Sequence, residues 1–348
     1  MGILSAQKTL FNRKKIGVFL LDHAIEVILF TLILALALGV NNFMTWSNWM
    51  NILRANSLKG VIAFGMTMVI VAGLIDLSIG STVALAGVIT ARCCRDLTAG
   101  GMDLTTACLI GMGLSLVMAL VIGWFHGFFQ HRAGMPPFIV TLVTLNALYG
   151  LAGMVSEGFP IANQFPDWFN FLGGGRIPIP GWIVNLLGGG KIDGIPVPAV
   201  VLIVSFFIVW YFMGYTTTGR AIYATGGNPE SARLSGINVG RTKMICFIAV
   251  QILAVISGFM TSGQLLAGSF SFGRGWELDA IAATVIGGTS MNGGIGKVWG
   301  TLLGVIFMGV ISNGMTLLNF DIYTQYVVRG FIMFLAVLIS SYQAQIKA

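Results

Sequence analysis

Residues 58–92 read LKGVIAFGMTMVIVAGLIDLSIGSTVALAGVITAR. Two apolar runs, about 58–75 and 78–92, flank a break carrying Gly73, Asp76, Ser78 and Gly80. A transmembrane helix needs roughly 20 mostly apolar residues. The first run approaches that length and the second falls short. Irregular backbone at membrane depth survives only where protein or a wet cavity satisfies its polar groups. The stretch therefore predicts a multi-spanning protein containing a broken or re-entrant helix.

The rest of the chain agrees with that reading. Of its 348 residues, 56% are hydrophobic and 9% charged, with a mean hydropathy of +0.88, too apolar for a surface that faces water. The lipid bilayer is the expected surroundings. Apolar runs divided by polar, Gly and Pro punctuation give ten candidate spans: 16–40, 58–75, 78–92, 105–128, 137–155, 197–215, 242–266, 279–290, 297–317 and 322–341. The fold class predicted is an all-α integral membrane protein, one transmembrane domain over 1–348, with 78–92 and 279–290 as short pieces.

A net charge of +7 invites a nucleic-acid reading, but Lys and Arg gather in short inter-helix segments and form no soluble basic face. Nucleic acid is excluded as a partner, and the charge is a topology signal. With ten crossings and a cytoplasmic N-terminus, eleven Lys and Arg fall inside and seven outside, Arg54, Lys59, Arg92, Arg95 and Arg274 among the latter. Both termini are expected to be cytoplasmic. The outer connection at about 156–196, rich in Pro with Trp168 and Trp182, reads as an ordered external cap. The aromatic piece from Thr45 to Asn51 reads as lying along the outer membrane surface.

Cys93, Cys94, Cys108 and Cys246 show no metal or redox spacing, and no cofactor or metal is expected. His23, His126 and His131 fall near span ends, which favours interfacial roles.

Three segments carry candidate chemistry. In the first, Asp76 must be paired, protonated or facing a wet cavity; the bland reading is that Asp76 or Ser78 caps the next helix. The second break, Phe272 to Ala283, places Glu277 and Asp279 before an apolar helix, where acids complement the N-terminal dipole, with Arg274 as a candidate partner for one of them. It runs on into Gly287 and Gly288. The following stretch to Lys297 resembles a phosphate-binding loop only superficially. That motif needs Gly at Met291 and Ser or Thr at Val298. Its glycines instead suit tight turns and close packing, with Gly296, Gly300 and Gly304 spaced by four.

The third segment, about 216–241, contains Gly226, Gly227, Asn228, Pro229, Glu230, Ser231, Ala232, Arg233, Leu234, Ser235 and Gly236. Asn228 suits a helix cap, Pro229 the first position, Glu230 the first turn and Gly236 the end. So short a helix needs docking to persist. Small residues Ser231, Ala232 and Ser235 are expected to meet a partner's groove, with Glu230 and Arg233 at its rim.

Taken together, GLIDLSIGS at 73–81, ATGGNPESARLSGINVGRTK at 224–243 and ELDAIAATVIGGTSMNGGIGKVWGTLLG at 277–304 resemble the permease subunits of bacterial monosaccharide importers, the ribose, galactose and xylose type of ATP-binding cassette transporter. The likeness extends over nearly the whole chain. It implies a non-catalytic permease in the bacterial inner membrane, a periplasmic binding protein that delivers the sugar, a second permease subunit, and ATPase domains on another polypeptide. It further implies that 226–236 is the coupling helix. Asp76, Ser78, Gly80, Glu277, Asp279, Gly287 and Gly288 are the candidates for the pathway or for the helix breaks beside it.

Two other classes compete. An ion-coupled secondary carrier needs intramembrane ionisable groups, for which Asp76 alone is a thin relay. A membrane enzyme needs a clustered nucleophile, acid–base pair or metal set, and none is evident.

Overall fold

The structure is a computed structural model, and it describes residues 24–162, 164–182 and 194–347. Lys8, Arg13, Lys14, Lys15, Lys191 and Asp193, charges used in the topology reading, and His23, read as interfacial, lie outside the described residues.

The described chain forms thirteen helices and two short antiparallel ribbons. In order they are α1 (Ala24–Gly39), α2 (Trp46–Val71), α3 (Ile79–Ala99), α4 (Leu104–Arg132), α5 (Pro137–Val155), β1 (Ile161–Ala162), α6 (Asp167–Gly174), β2 (Arg176–Ile177), β3 (Ile195–Pro196), α7 (Val197–Tyr215), α8 (Thr217–Gly227), α9 (Pro229–Leu234), α10 (Val239–Leu265), β4 (Ala267–Gly268), α11 (Trp276–Ile286), α12 (Val298–Leu317) and α13 (Ile322–Lys347). Each candidate span overlaps one helix, in the same order. Five of them, α4, α5, α7, α10 and α12, are long and apolar enough to cross a membrane by themselves.

From Gly60 to Val71 every residue of α2 is buried, so this helix is apolar all round because it has protein on every side. α10 runs beside it and packs on α2, α3, α4 and α6. Missing side chains bring these backbones together: a Cβ on Gly65 would lie 2.9 Å from Val250 Cα, and one on Gly123 2.5 Å from Ile248 Cα. The outer faces of α4 and α7 are the reverse. Leu114, Val117, Phe207 and Ile208 are exposed there, as side chains that face lipid must be.

The piece from Thr45 to Asn51 departs from expectation. It is the continuous first part of α2: Thr45 caps the helix by accepting from Asn48 N–H, and Asn48 exchanges side-chain hydrogen bonds with Asn313 of α12 at 3.0 and 2.7 Å. A segment so capped and docked is held in the bundle. The expectation missed this because aromatic amphipathic composition serves either placement. The 156–196 connection carries α6, whose Phe169 and Gly173 press against α10 at Gly263.

Two stretches interrupt the bundle. Residues 72–78 leave α2 and run non-helically to the start of α3. Residues 267–275 follow α10, with Gly268 against Gly87 and Ala91 and Gly273 against Gly80 and Val83, so the chain descends along α3 before α11 begins. The end of α3 is marked by charge: Arg92 Nη1 meets Glu157 Oε1 at 2.5 Å, and Arg95 Nε meets Asp96 at 2.9 Å. Twelve residues at about 1.5 Å each put Gly80 about 18 Å along α3 from that charged rim.

α11 and α12 pack through their glycines. A Cβ on Gly304 would collide with the carbonyl oxygen of Ala283, and one on Gly300 with that of Gly287. Gly304→Leu is therefore expected to cost about 1–3 kcal/mol by overpacking, read as a lower thermal midpoint of the detergent-solubilised protein. An unchanged midpoint would show that the two helices separate freely.

Candidate functional site

Asp76 lies at the end of the first break and is completely buried. Its Oδ1 accepts from Ser78 N–H at 2.8 Å and from Ser78 Oγ at 2.7 Å; its Oδ2 accepts from Gln251 Nε2 at 2.8 Å. Gln251 Oε1 in turn accepts from Thr82 Oγ1 at 2.6 Å, which fixes the amide so that its NH2 faces the carboxylate. His126 Nδ1 stands 3.4 Å from Asp76 Oδ2, and its Nε2 meets Thr144 Oγ1 at 2.8 Å. The helix-entry N–H is thus met by Asp76, while the Ser78 hydroxyl turns back to Asp76 and makes no cap of its own. Five elements, the break and α3, α4, α5 and α10, are tied at one buried carboxylate.

His126 corrects the sequence reading. It is fully buried in this network, not interfacial. α4 runs on to Arg132, so a residue near the end of a 105–128 span is in fact well inside the helix. The signal available was the need of Asp76 for a partner.

At the second break Asp279 forms an ion pair with Lys59 of α2. Lys59, read as an outer residue, lies within the bundle, and its Nζ is 5.7 Å from the centre of the Trp276 ring. Arg274 pairs with neither acid; its guanidinium lies over the rings of Tyr149 and Phe270 at 5.1 and 6.0 Å. The expected Arg–acid pair fails because Gly273 and Gly275 both adopt positive φ and turn the backbone between them. Beside the ion pair is a cavity of about 20 Å3 lined by Asn56, Lys59, Asp279, Ser312 and Arg329. Glu277 points elsewhere. Its Oε2 lies next to Gly80, which Gly273 also meets, so the two breaks touch there. Gly287 packs on Gly300, and Gly288, at φ +86°, opens the loop that follows. Among the described residues no three His, Cys, Asp or Glu side chains gather closely enough to hold a metal ion.

That loop leads to the third segment. Gly294 N–H donates to Val71 C=O at 2.8 Å, at the end of α2. A Cβ on Gly226 would collide with Val71 C=O, and one on Gly293 would lie 2.7 Å from Gly226 C=O and 3.0 Å from Gly73 Cα. Tyr223 Oη donates to Gly296 C=O at 2.9 Å. The end of α8, the end of α2 and the loop after α11 therefore meet main chain to main chain.

α9 projects from this junction. Asn228 Oδ1 accepts from Ser231 N–H at 2.9 Å, Pro229 opens the helix and Gly236 follows at φ +83°. Glu230 and Arg233 pair with each other at 2.6 Å, and the guanidinium holds the Glu230 carboxyl below its ordinary range. The pair is complete at neutral pH and is lost on acidification through that lowered range. One expectation is corrected. Ala232 is only 4% exposed and faces its own chain, so it offers nothing to a partner; the outward apolar residue is Leu234, 75% exposed. Two residues suffice to turn a helical side chain to the opposite face, and small size alone did not reveal which face was which.

The family described as "Branched-chain amino acid transport system / permease component" matches residues 48–337, and the chain belongs to that family of transport permease components. Relatives include a ribose import permease of Haemophilus influenzae, 33% identical across 94% of this chain and 95% of that protein, and one of Bacillus subtilis, 35% identical across 89% and 90%. An L-arabinose transport system permease of Escherichia coli is 32% identical across 94% and 92%. No solved structure matches the chain.

Proposed function

We infer that the chain is the membrane-spanning, non-catalytic subunit of an ATP-driven monosaccharide importer of a bacterial inner membrane. It makes ten crossings, has both termini in the cytoplasm, and forms its path against a second permease subunit. The observation that carries the reading is the glycine junction, which joins a short exposed helix to both broken spans of a chain that has no phosphate-binding loop of its own. Energy must then come from a separate ATPase, and 216–241, with α9 at its centre, is where it arrives.

The family description names branched-chain amino acids, but the ribose and arabinose permeases among the relatives match along nearly their whole length. Sugar is the better-supported cargo. The relatives also speak against an ion-coupled carrier, since they are named as permease components of import systems. A periplasmic binding protein delivers the sugar, and the 156–196 connection is its proposed contact.

The test is uptake by proteoliposomes holding this chain with its ATPase subunit and binding protein. Labelled ribose, L-arabinose, D-xylose, D-galactose and L-leucine are supplied in turn. ATP-dependent entry of at least one sugar is expected, and Gly80→Trp or Gly288→Trp should abolish it without altering the binding protein's affinity. Entry of leucine alone, or entry independent of ATP, would overturn the reading.

A further inference from the structure

Two buried oxygens near Gly80 have no hydrogen-bond partner: Tyr149 Oη on α5 and Glu277 Oε2 on α11. They converge on the same point. A Cβ on Gly80 would collide with Glu277 Oε2 and would lie 3.1 Å from Tyr149 Oη. The nearby Asp76 carboxylate is different, because each of its oxygens accepts hydrogen bonds from within the chain. Leaving a shielded polar group unpaired costs free energy, so two such groups aimed at one spot suggest a partner outside the chain.

Their neighbours supply a second argument. Arg274 is exposed beside them, stacked over the Tyr149 ring. Asn146 is exposed one turn before Tyr149 on α5, and its amide donates only within its own helix, to Leu142 C=O at 3.1 Å. Tyr149 and Glu277 reach Gly80, Arg274 stacks on the Tyr149 ring, and Asn146 lies one turn further from the charged rim along α5. An arginine and an amide exposed there are too costly to present to lipid. This face must border water, another subunit, or a polar solute in passage.

We propose that Tyr149, Glu277, Arg274 and Asn146 form a transit site that hydrogen-bonds the hydroxyl groups of a neutral polyhydroxylated solute as it passes Gly80. This rests on the importer reading and names the residues that touch its cargo. The Glu277 carboxylate accepts from a hydroxyl, the Tyr149 hydroxyl both accepts and donates, and Arg274 and Asn146 donate. The charges of Arg274 and Glu277 balance, so the site as a whole favours neither anion nor cation. The Phe270 ring, under the same guanidinium, offers an apolar surface for the C–H face of a sugar ring. Gly80 lets both oxygens approach the chain where any side chain would hold them off.

The experiment compares proteoliposomes of the whole importer carrying wild-type chain, Tyr149→Phe or Glu277→Gln. Uptake of labelled ribose, L-arabinose, D-xylose and D-galactose identifies the sugar that the wild type moves best. That sugar and its monodeoxy analogues are then supplied on saturated binding protein. Each variant is expected to move the parent sugar about tenfold more slowly, the loss of one hydrogen bond to a charged or shielded group. The preference for the parent over one particular deoxy analogue should fall towards one. Asn146→Leu, whose amide bonds only within α5, carries the same test where the other variants do not accumulate. Uptake unchanged, or lowered equally for the parent and every analogue, would overturn the site while leaving the importer reading intact. A wild-type complex that moves none of the four sugars would overturn both.

Discussion

Leu234→Asp is expected to abolish co-purification of the ATPase subunit and sugar-stimulated ATP hydrolysis together, with membrane insertion intact. Leu234 is the apolar side chain that α9 turns outward, on a helix too short to persist without support. Burying a leucine in a partner's groove contributes about 1.5–3 kcal/mol. A carboxylate in the same groove adds an unpaired charge, so affinity should fall by more than about a hundredfold. Ala232→Arg provides the contrast. Its site is filled by its own chain, so that change should lower the amount of folded protein before any partner is involved. A Leu234→Asp complex that co-purifies and transports normally would remove α9 as the coupling element.

The second large effect is at Asp76. Asp76→Leu strands Ser78 N–H, leaves Ser78 Oγ and Gln251 Nε2 with only each other, and takes the charge away from His126 Nδ1, all in a fully buried place. Breaking a buried charged network by removing one partner costs about 3–5 kcal/mol. Folded protein recovered from the membrane should fall sharply. Asp76→Asn keeps an acceptor for Ser78 but sets an NH2 against Gln251 Nε2, so it should be milder, with a lowered thermal midpoint and measurable transport. Wild-type amounts of Asp76→Leu protein without transport would mean that the carboxylate acts on the cargo and not on the fold.

Much of this molecule is legible in its sequence because lipid leaves few options. Ten apolar runs became ten helices in order, and the polar residues that interrupt 58–92 became a real break, since each departs from a continuous requirement for apolar residues. The α9 cap was equally plain, because Asn228, Pro229 and Gly236 act on their own backbone. What escaped were relations between distant segments. Neither Gln251 nor His126 stands out on its own helix, and their meaning is that two helices, α10 and α4, bring them to Asp76. Lys59 looked like a flanking charge until α11 supplied Asp279. Tyr149 and Asn146 read as ordinary members of an apolar span. Nothing local distinguishes a residue beside a path from one beside lipid; only depth and exposure together do.

The meeting of Gly73, Gly226, Gly293 and Gly294 bears on how a push could travel. Side-chain contacts yield before they transmit, because rotamers hop and stems bend. A joint of bare peptide planes has no such play. A displacement of α9 would act first, through Gly226, on the end of α2 and the loop after α11, which meet it with no side chain between. The same stiffness makes the joint unforgiving: one methyl group at Gly226 prises apart three segments at once, so the machine would lose its stroke before it lost its shape.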